Sequence, residues 1–298
     1  MRRATATSAR CGRAGSARRV LGGRGFARPA AALLSAALLL ALLAPGVALA
    51  REVAGGENGG EGAGGLVGST ERPQLLLIHG GSFLYDDPTF EPLTRGPAVA
   101  AGFVPHYVTY PLDNLPAAVE RVRAEARRLR QKFGLDRVYA YGSSAGGTLA
   151  ALLSGQELVS AGVAKAPVSD LATWEWPTGK YGPEYWSALG VGEAGRLRLS
   201  PTARPERAPL LVIQGRADNV VPPSMNETFA ARFSRVKLWM VAGGHTTDRV
   251  RPFLVTRAMH WLAQIATRKM GAKREAEAEA KEKAEAKEQA EARAKGQR

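Results

Sequence analysis

The chain has 298 residues and a net charge of +14, and eight arginines without a single acidic residue in residues 1–50 carry more than half of that charge. The basic balance is therefore a property of the leader, and no basic patch interleaved with aromatics follows it, so nucleic acid is set aside as a partner. The only cysteine, Cys11, also lies in the leader, which excludes an internal disulfide, a thiolate metal site and a cysteine nucleophile from the rest of the chain.

The leader runs from an arginine-rich stretch into the apolar segment Pro29–Ala50, which closes on Ala48-Leu49-Ala50. Small residues at both flanking positions predict a signal peptide over residues 1–50, cut after Ala50. A retained single-span anchor, tethering the protein to a membrane, is the alternative, since the apolar run is long enough to span. Either reading places the body outside the cytoplasm, secreted or in the cell envelope. Residues 51–72 are rich in Gly and Glu and poor in apolar residues, the composition of a flexible linker.

A domain is expected from 73 to 270. Leu75–His79 is a short apolar run that ends at a glycine pair, and Phe103–Tyr110 is a second strand candidate. Leu115–Phe133 carries apolar residues at helical spacing and stops before Gly134. Val138–Gly142 reads as a strand, Ser144–Ser154 as a helix of small residues, and Val159–Pro167, Leu210–Gly215 and Val236–Val241 as further strands, before a closing helix over Val250–Lys269. Short buried strands alternating with helices predict a parallel sheet covered on both faces. From about 271 to 298 the chain is a mixture of Ala, Glu, Lys, Arg and Gln with no apolar stripe, which predicts a solvated, fraying helix or a disordered tail.

Three strand ends carry the residues of nucleophilic catalysis. Tyr139–Gly147 reads YAYGSSAGG, a Gly-x-Ser-x-Gly pattern centred on Ser144. In a strand–turn–helix elbow the flanking glycines are needed because a β carbon there would clash. Centring the pattern on Ser143 would put Tyr141 and Ala145 where glycines are required, so Ser144 is the candidate nucleophile. The strand Leu210–Gly215 is followed by Asp218, and the strand Val236–Val241 by Gly243-Gly244-His245. Nucleophile, acid and histidine thus follow separate strands in the order Ser, Asp, His. His79, in the glycine loop after the first strand, is expected to brace that loop, and His106 and His260 are expected to be structural or exposed. No metal-ligand spacing and no cofactor motif is found.

On these motifs (His79-Gly80-Gly81, Gly142-Ser143-Ser144-Ala145-Gly146, Gly215-x-x-Asp218-x-x-Val221 and His245) the chain resembles the α/β-hydrolase superfamily over roughly Arg72 to Ala266, and within it the esterase and prolyl-oligopeptidase-like branch. The resemblance implies the α/β-hydrolase fold and an acyl-transfer mechanism with Ser144 as nucleophile, His245 as general base and Asp218 as its partner. It also implies an oxyanion hole from the N–H groups of Ala145, Gly81 and Ser82. Two departures, Ser82 in place of a third loop glycine and Ser143 in place of an Asp before the nucleophile, separate the chain from the hormone-sensitive-lipase-like enzymes. Phe83 and Tyr85 after the oxyanion loop, and Trp174, Trp176 and Trp186 in the aromatic stretch before the acid strand, are candidate walls of a substrate pocket; a small satellite core is the other reading of those tryptophans. The expected activity is hydrolysis of a small ester. An amidase or peptidase of the same fold, formamidase-like or prolyl-oligopeptidase-like, and a surface binding protein with a relic triad are the alternatives.

Overall fold

The computed structural model describes residues 72–175, 182–204 and 206–296; the leader, nearly all of the expected linker, Trp176 and Tyr181 lie outside them. Strands β1 (Gln74–Ile78), β2 (Val104–Val108), β3 (Val138–Ser143), β4 (Ala161–Lys165), β5 (Leu210–Gly215) and β6 (Val236–Val241) form one sheet in the order β2-β1-β3-β4-β5-β6. Every pairing is parallel. Every residue of β1, β3, β4 and β5 is buried, whereas the edge strands β2 and β6 are mostly half-buried. The continuous apolar runs read from the sequence arise because helices cover both faces of a parallel sheet.

Alternate side chains sort to the two faces. Leu76, Ile78, Val138 and Ala140 face a core built with helices α2 (Leu115–Phe133) and α3 (Ala145–Gly155). Leu75, Leu77, Tyr139, Tyr141, Val163 and Ile213 face α1 (Phe90–Ala100) and α8 (Phe253–Gly296). The α2 bounds follow from local chemistry. The Asn114 side chain accepts the Ala117 N–H at the first turn, and Gly134 takes φ 84° just past the last. The protein has the α/β-hydrolase fold.

Four further α-helices are α4 (Pro183–Ala188) and α5 (Glu193–Leu199) between β4 and β5, α6 (Pro223–Arg232) between β5 and β6, and α7 (Thr247–Val250) after β6, and two short 3-10 turns lie at Leu135–Arg137 and Pro201–Ala203. Helices α1, α4, α5, α6 and α7 are not among the elements that the sequence pattern predicts. Gly96 and Pro97 stand inside α1, and both normally punctuate a helix rather than occupy it. The closing helix starts later than the periodicity predicts because Pro252 keeps Arg251 out of helical geometry, at φ −138°. It then runs on without a break to Gly296, with every side chain from 272 to 293 exposed. His106 lies in β2 with Nε2 2.8 Å from Gln74 Oε1, and burial lowers its pKa; His260 is exposed on α8.

The chain leaves β1 towards β2 on one side and later crosses to β3 on the other. A crevice therefore opens between the carboxyl ends of β1 and β3, the place where open parallel sheets bind ligands. The glycine loop follows β1 and Ser144 follows β3, so both border this crevice.

Candidate active site

Ser144 is the single residue between β3 and α3, held at φ 54° and ψ −117°. A non-glycine residue in that region is strained, and such strain persists only where the surroundings impose it. They do so here: a β carbon on Gly142 would lie 2.0 Å from the Gly146 carbonyl oxygen, and one on Gly146 would lie 2.1 Å from that of Ile78. The backbone N–H of Ser144 donates to the carbonyl of Lys165 at 2.7 Å, tying the turn to β4.

Asp218 follows β5 and is buried. Its Oδ1 accepts the N–H groups of Val220 and Val221 at 2.9 Å each, and its Oδ2 accepts from Gln214 Nε2 at 3.0 Å. His245 Nδ1 lies 2.9 Å from Asp218 Oδ2, and His245 Nε2 lies 2.9 Å from Ser144 Oγ. An ionised carboxylate only accepts, so Nδ1 carries the ring proton and Nε2 is left to accept the serine hydroxyl. Burial pushes the Asp218 carboxyl up, but the His245 contact and the two backbone N–H groups outweigh it, and its pKa falls below the ordinary carboxylate value. The aspartate therefore stays charged beside the imidazole.

The loop after β1 is fixed by its own aromatics. His79 is buried, stacks on Tyr110 at 4.2 Å and 4°, and has Nδ1 2.7 Å from the Gly80 carbonyl. The Tyr110 hydroxyl donates to the His79 and Gly80 carbonyls at 2.9 and 3.1 Å. Gly81, Ser82 and Phe83 all have positive φ (105°, 54° and 60°), a tight turn in which the Gly81 carbonyl accepts from Leu84 and Tyr85. Gly81 and Ser82 border the same cleft as Ser144 and His245, with a volume of about 450 Å³. Ala145 is the first residue of α3, where N–H groups have no acceptor within the helix.

Residues 121–275 match the model of the prolyl oligopeptidase family. The chain belongs to that family. No curated protein matches it. Among solved structures it is similar to esterase 2 of Thermogutta terrifontis, with 20% identity, TM-score 0.55, and coverage of 64% of this chain and 81% of that one. It is also similar to a bifunctional GH43-CE protein of Bacteroides eggerthii, with 17% identity and TM-score 0.56. That match covers 65% of this chain and spans about a third, 34%, of the longer protein. A truncated carbohydrate esterase from gut microbiota aligns over 66% of this chain and 87% of its own, with 18% identity and TM-score 0.54. At these identities the likeness speaks for the fold.

The expected pocket walls need correction in this prolyl oligopeptidase family member. Tyr85 does border the cleft, together with Asp87, Asn219, Val220, Thr246 and Arg249. Phe83 does not: it is 1% exposed and turned into the core near Tyr110. Trp174 and Trp186 pack edge-on against each other and against Tyr185, and border a separate cleft of about 730 Å³. Their polar handles explain the arrangement, since a buried indole or phenol seeks an acceptor. Trp174 Nε1 donates to the Val220 carbonyl at 3.0 Å, and the Tyr185 hydroxyl donates to the Ser82 carbonyl at 2.8 Å. These aromatics brace the two site loops from behind. Trp176 lies outside the described residues.

Two pairs around the site were not legible from the sequence. Gln214, which donates to Asp218, is itself held by Asn226 Nδ2 at 2.7 Å, and both are fully buried. Lys165, at the end of β4, is 3% exposed and ion-paired at 2.9 Å with the buried Asp248 of α7. Neither pair has a local motif, because each joins residues whose nearness only the fold creates.

Proposed function

We propose that the protein is a serine hydrolase that cleaves small carboxylic esters through an acyl-enzyme on Ser144. The observation that carries this reading is the unbroken chain of contacts from Asp218 through His245 to the Ser144 hydroxyl. In the first step Ser144 Oγ attacks the ester carbonyl while His245 Nε2 takes its proton, and Asp218 stabilises the imidazolium. The oxyanion is received by N–H groups of Ala145, Gly81 and Ser82. The imidazolium then protonates the departing alcohol, and a water repeats the sequence to free the acid and restore Ser144.

The cleft supports a short acyl group. Apolar burial is worth about 0.8 kcal/mol per methylene, but only against apolar walls, and Val220 is the one aliphatic side chain among the residues bordering the cleft. Family membership favours amide or peptide bonds as a second reading. The composition of residues 1–50 supports export of the protein.

The test is hydrolysis of p-nitrophenyl acetate, butyrate and octanoate, alongside aryl formamides and aminoacyl anilides, by the full chain and two variants. Ser144→Ala should lose turnover by about 10⁴-fold or more without unfolding, and Ser143→Ala should keep most of it. The acetate should be cleaved faster than the octanoate. Reversal of the two variants would place the nucleophile wrongly, and preferential cleavage of anilides would replace the ester reading by the second one.

A further inference from the structure

Lys165 is a buried cation at a place where the neighbouring strand residues are small or apolar. Burying an ammonium group costs several kcal/mol unless it is paired and hydrogen-bonded, and a partner is present in Asp248, which is also buried. The lysine does more than neutralise. Its Nζ donates to the backbone carbonyl of His245, and its own carbonyl accepts the N–H of Ser144 at 2.7 Å. One residue therefore holds the backbone on both sides of the 2.9 Å contact between Ser144 Oγ and His245 Nε2.

The histidine loop is tied to the loop after β5 where the Ala217 N–H donates to the Gly243 carbonyl at 2.9 Å, but that bond lies two residues before His245 and a hold on the histidine itself is still needed. Gly243 and Gly244 precede His245, with Gly243 at φ 115°, and glycines give a backbone little stiffness of its own. Thr247 closes the turn locally, its hydroxyl donating to the Ala242 carbonyl at 2.9 Å, but that bond stays within the loop. Lys165 reaches it from β4, two strands away in the sheet.

We infer that Lys165 is a positioning residue that fixes the distance between His245 and Ser144, with Asp248 as the charge that allows it to be buried there. The inference rests on the serine-hydrolase reading above. Its test separates positioning from mere stability by using a neutral pair. Lys165→Met alone leaves Asp248 buried without its counter-ion. It should lower the melting temperature and reduce kcat on a short p-nitrophenyl ester by about 10- to 100-fold with little change in KM, the scale of a misplacement near 1 Å. The double variant Lys165→Met/Asp248→Leu removes the stranded charge. Its melting temperature should recover while kcat stays low, because the His245 carbonyl still lacks its donor. Lys165→Arg should restore most of kcat. Labelling of Ser144 by a fluorophosphonate, which needs no deacylation, should slow by the same factor as kcat in the methionine variants.

Recovery of kcat together with stability in the double variant would overturn the inference and reduce the pair to a structural ion pair. So would an unchanged kcat in both methionine variants. If Lys165→Met does not fold, the double variant and the arginine variant still decide. Failure of the hydrolase reading shows elsewhere, as activity that survives Ser144→Ala.

Discussion

The elbow around Ser144 and the last part of α8 both lack large apolar side chains, yet they obey opposite rules. Between Gly142 and Gly146 the backbone is so crowded that a single added carbon meets a carbonyl oxygen at about 2 Å. From 272 to 293 every side chain is exposed, and the helix is decorated with ion pairs four residues apart. Three of these, Lys273–Glu277, Lys281–Glu285 and Lys287–Glu291, run in the weaker order with the lysine first. Exposed pairs of this kind contribute at most about 0.5 kcal/mol each. In the elbow the identity of each residue is dictated by its neighbours in space; in the tail only the average composition matters.

The largest expected effect follows from adding one carbon to the elbow. Gly146→Ala should cost on the order of 3 kcal/mol, because the atom it meets is backbone and the overpacked strand end cannot yield. For a domain of this size that is a fall of roughly 6–12 °C in melting temperature, read by calorimetry, together with loss of hydrolysis. Unchanged stability would mean that the elbow is less crowded than the geometry shows, and the contrast with the tail would collapse.

A carboxyl group gives a finer test. Tail glutamates sit in water, but Glu206 is buried beside Gly155 at the far end of α3, and burial pushes its pKa up to about 9. The folded state therefore holds this proton more tightly than the unfolded chain. The stability it supports is complete below the ordinary glutamate value of about 4.5, drains away as pH rises, and is gone by about pH 9. Glu206→Gln should flatten the stability–pH profile across that window, measured by denaturant unfolding from pH 5 to pH 9. Glu282→Gln in the tail should leave the slope alone. Equal slopes for Glu206→Gln and the parent would show that Glu206 is ionised in the fold.

The smallest expected effect is none. Ending the chain after Gly271 should leave kcat and the melting temperature within error, since ordering a residue costs about 1–2 kcal/mol of backbone entropy and the exposed tail buries little to offset it. A marked loss of either would mean that the tail docks on the domain or pairs two chains.

What could be read in advance follows the same division. The elbow was legible because steric crowding leaves a local signature, glycines two before and two after a serine. The four central strands were legible because burial on both faces demands apolar or small residues along most of each, while the half-buried edge strands β2 and β6 admit His106 and Lys237. Helix α1 was not, since its Gly96 and Pro97 are tolerated by packing against α8 rather than by propensity. Trp174 and Tyr185 stood out as aromatics, but nothing in their spacing says whether a ring faces substrate or a neighbouring loop. Lys165 lies in the strand candidate Val159–Pro167 with no motif around it, and its partner Asp248 lies 83 residues further along, in the short helix α7.

Tyr185 and Trp174 have a consequence for how this site can change. Both bonds from the segment between β4 and β5 end on main-chain carbonyls, of Ser82 and Val220. A carbonyl is present whatever side chain stands beside it, so the support is blind to the identity of the residues it supports. Position 220, half-buried at the rim of the cleft, can change among apolar residues other than Pro without loosening its brace, since its N–H must still donate to Asp218. Position 82 can be varied among the few residues that accept a left-handed backbone, such as Gly, Asn and Asp. The framework is thus inherited separately from the selectivity of the rim, and a library at these two positions samples substrate preference on a scaffold that stays put.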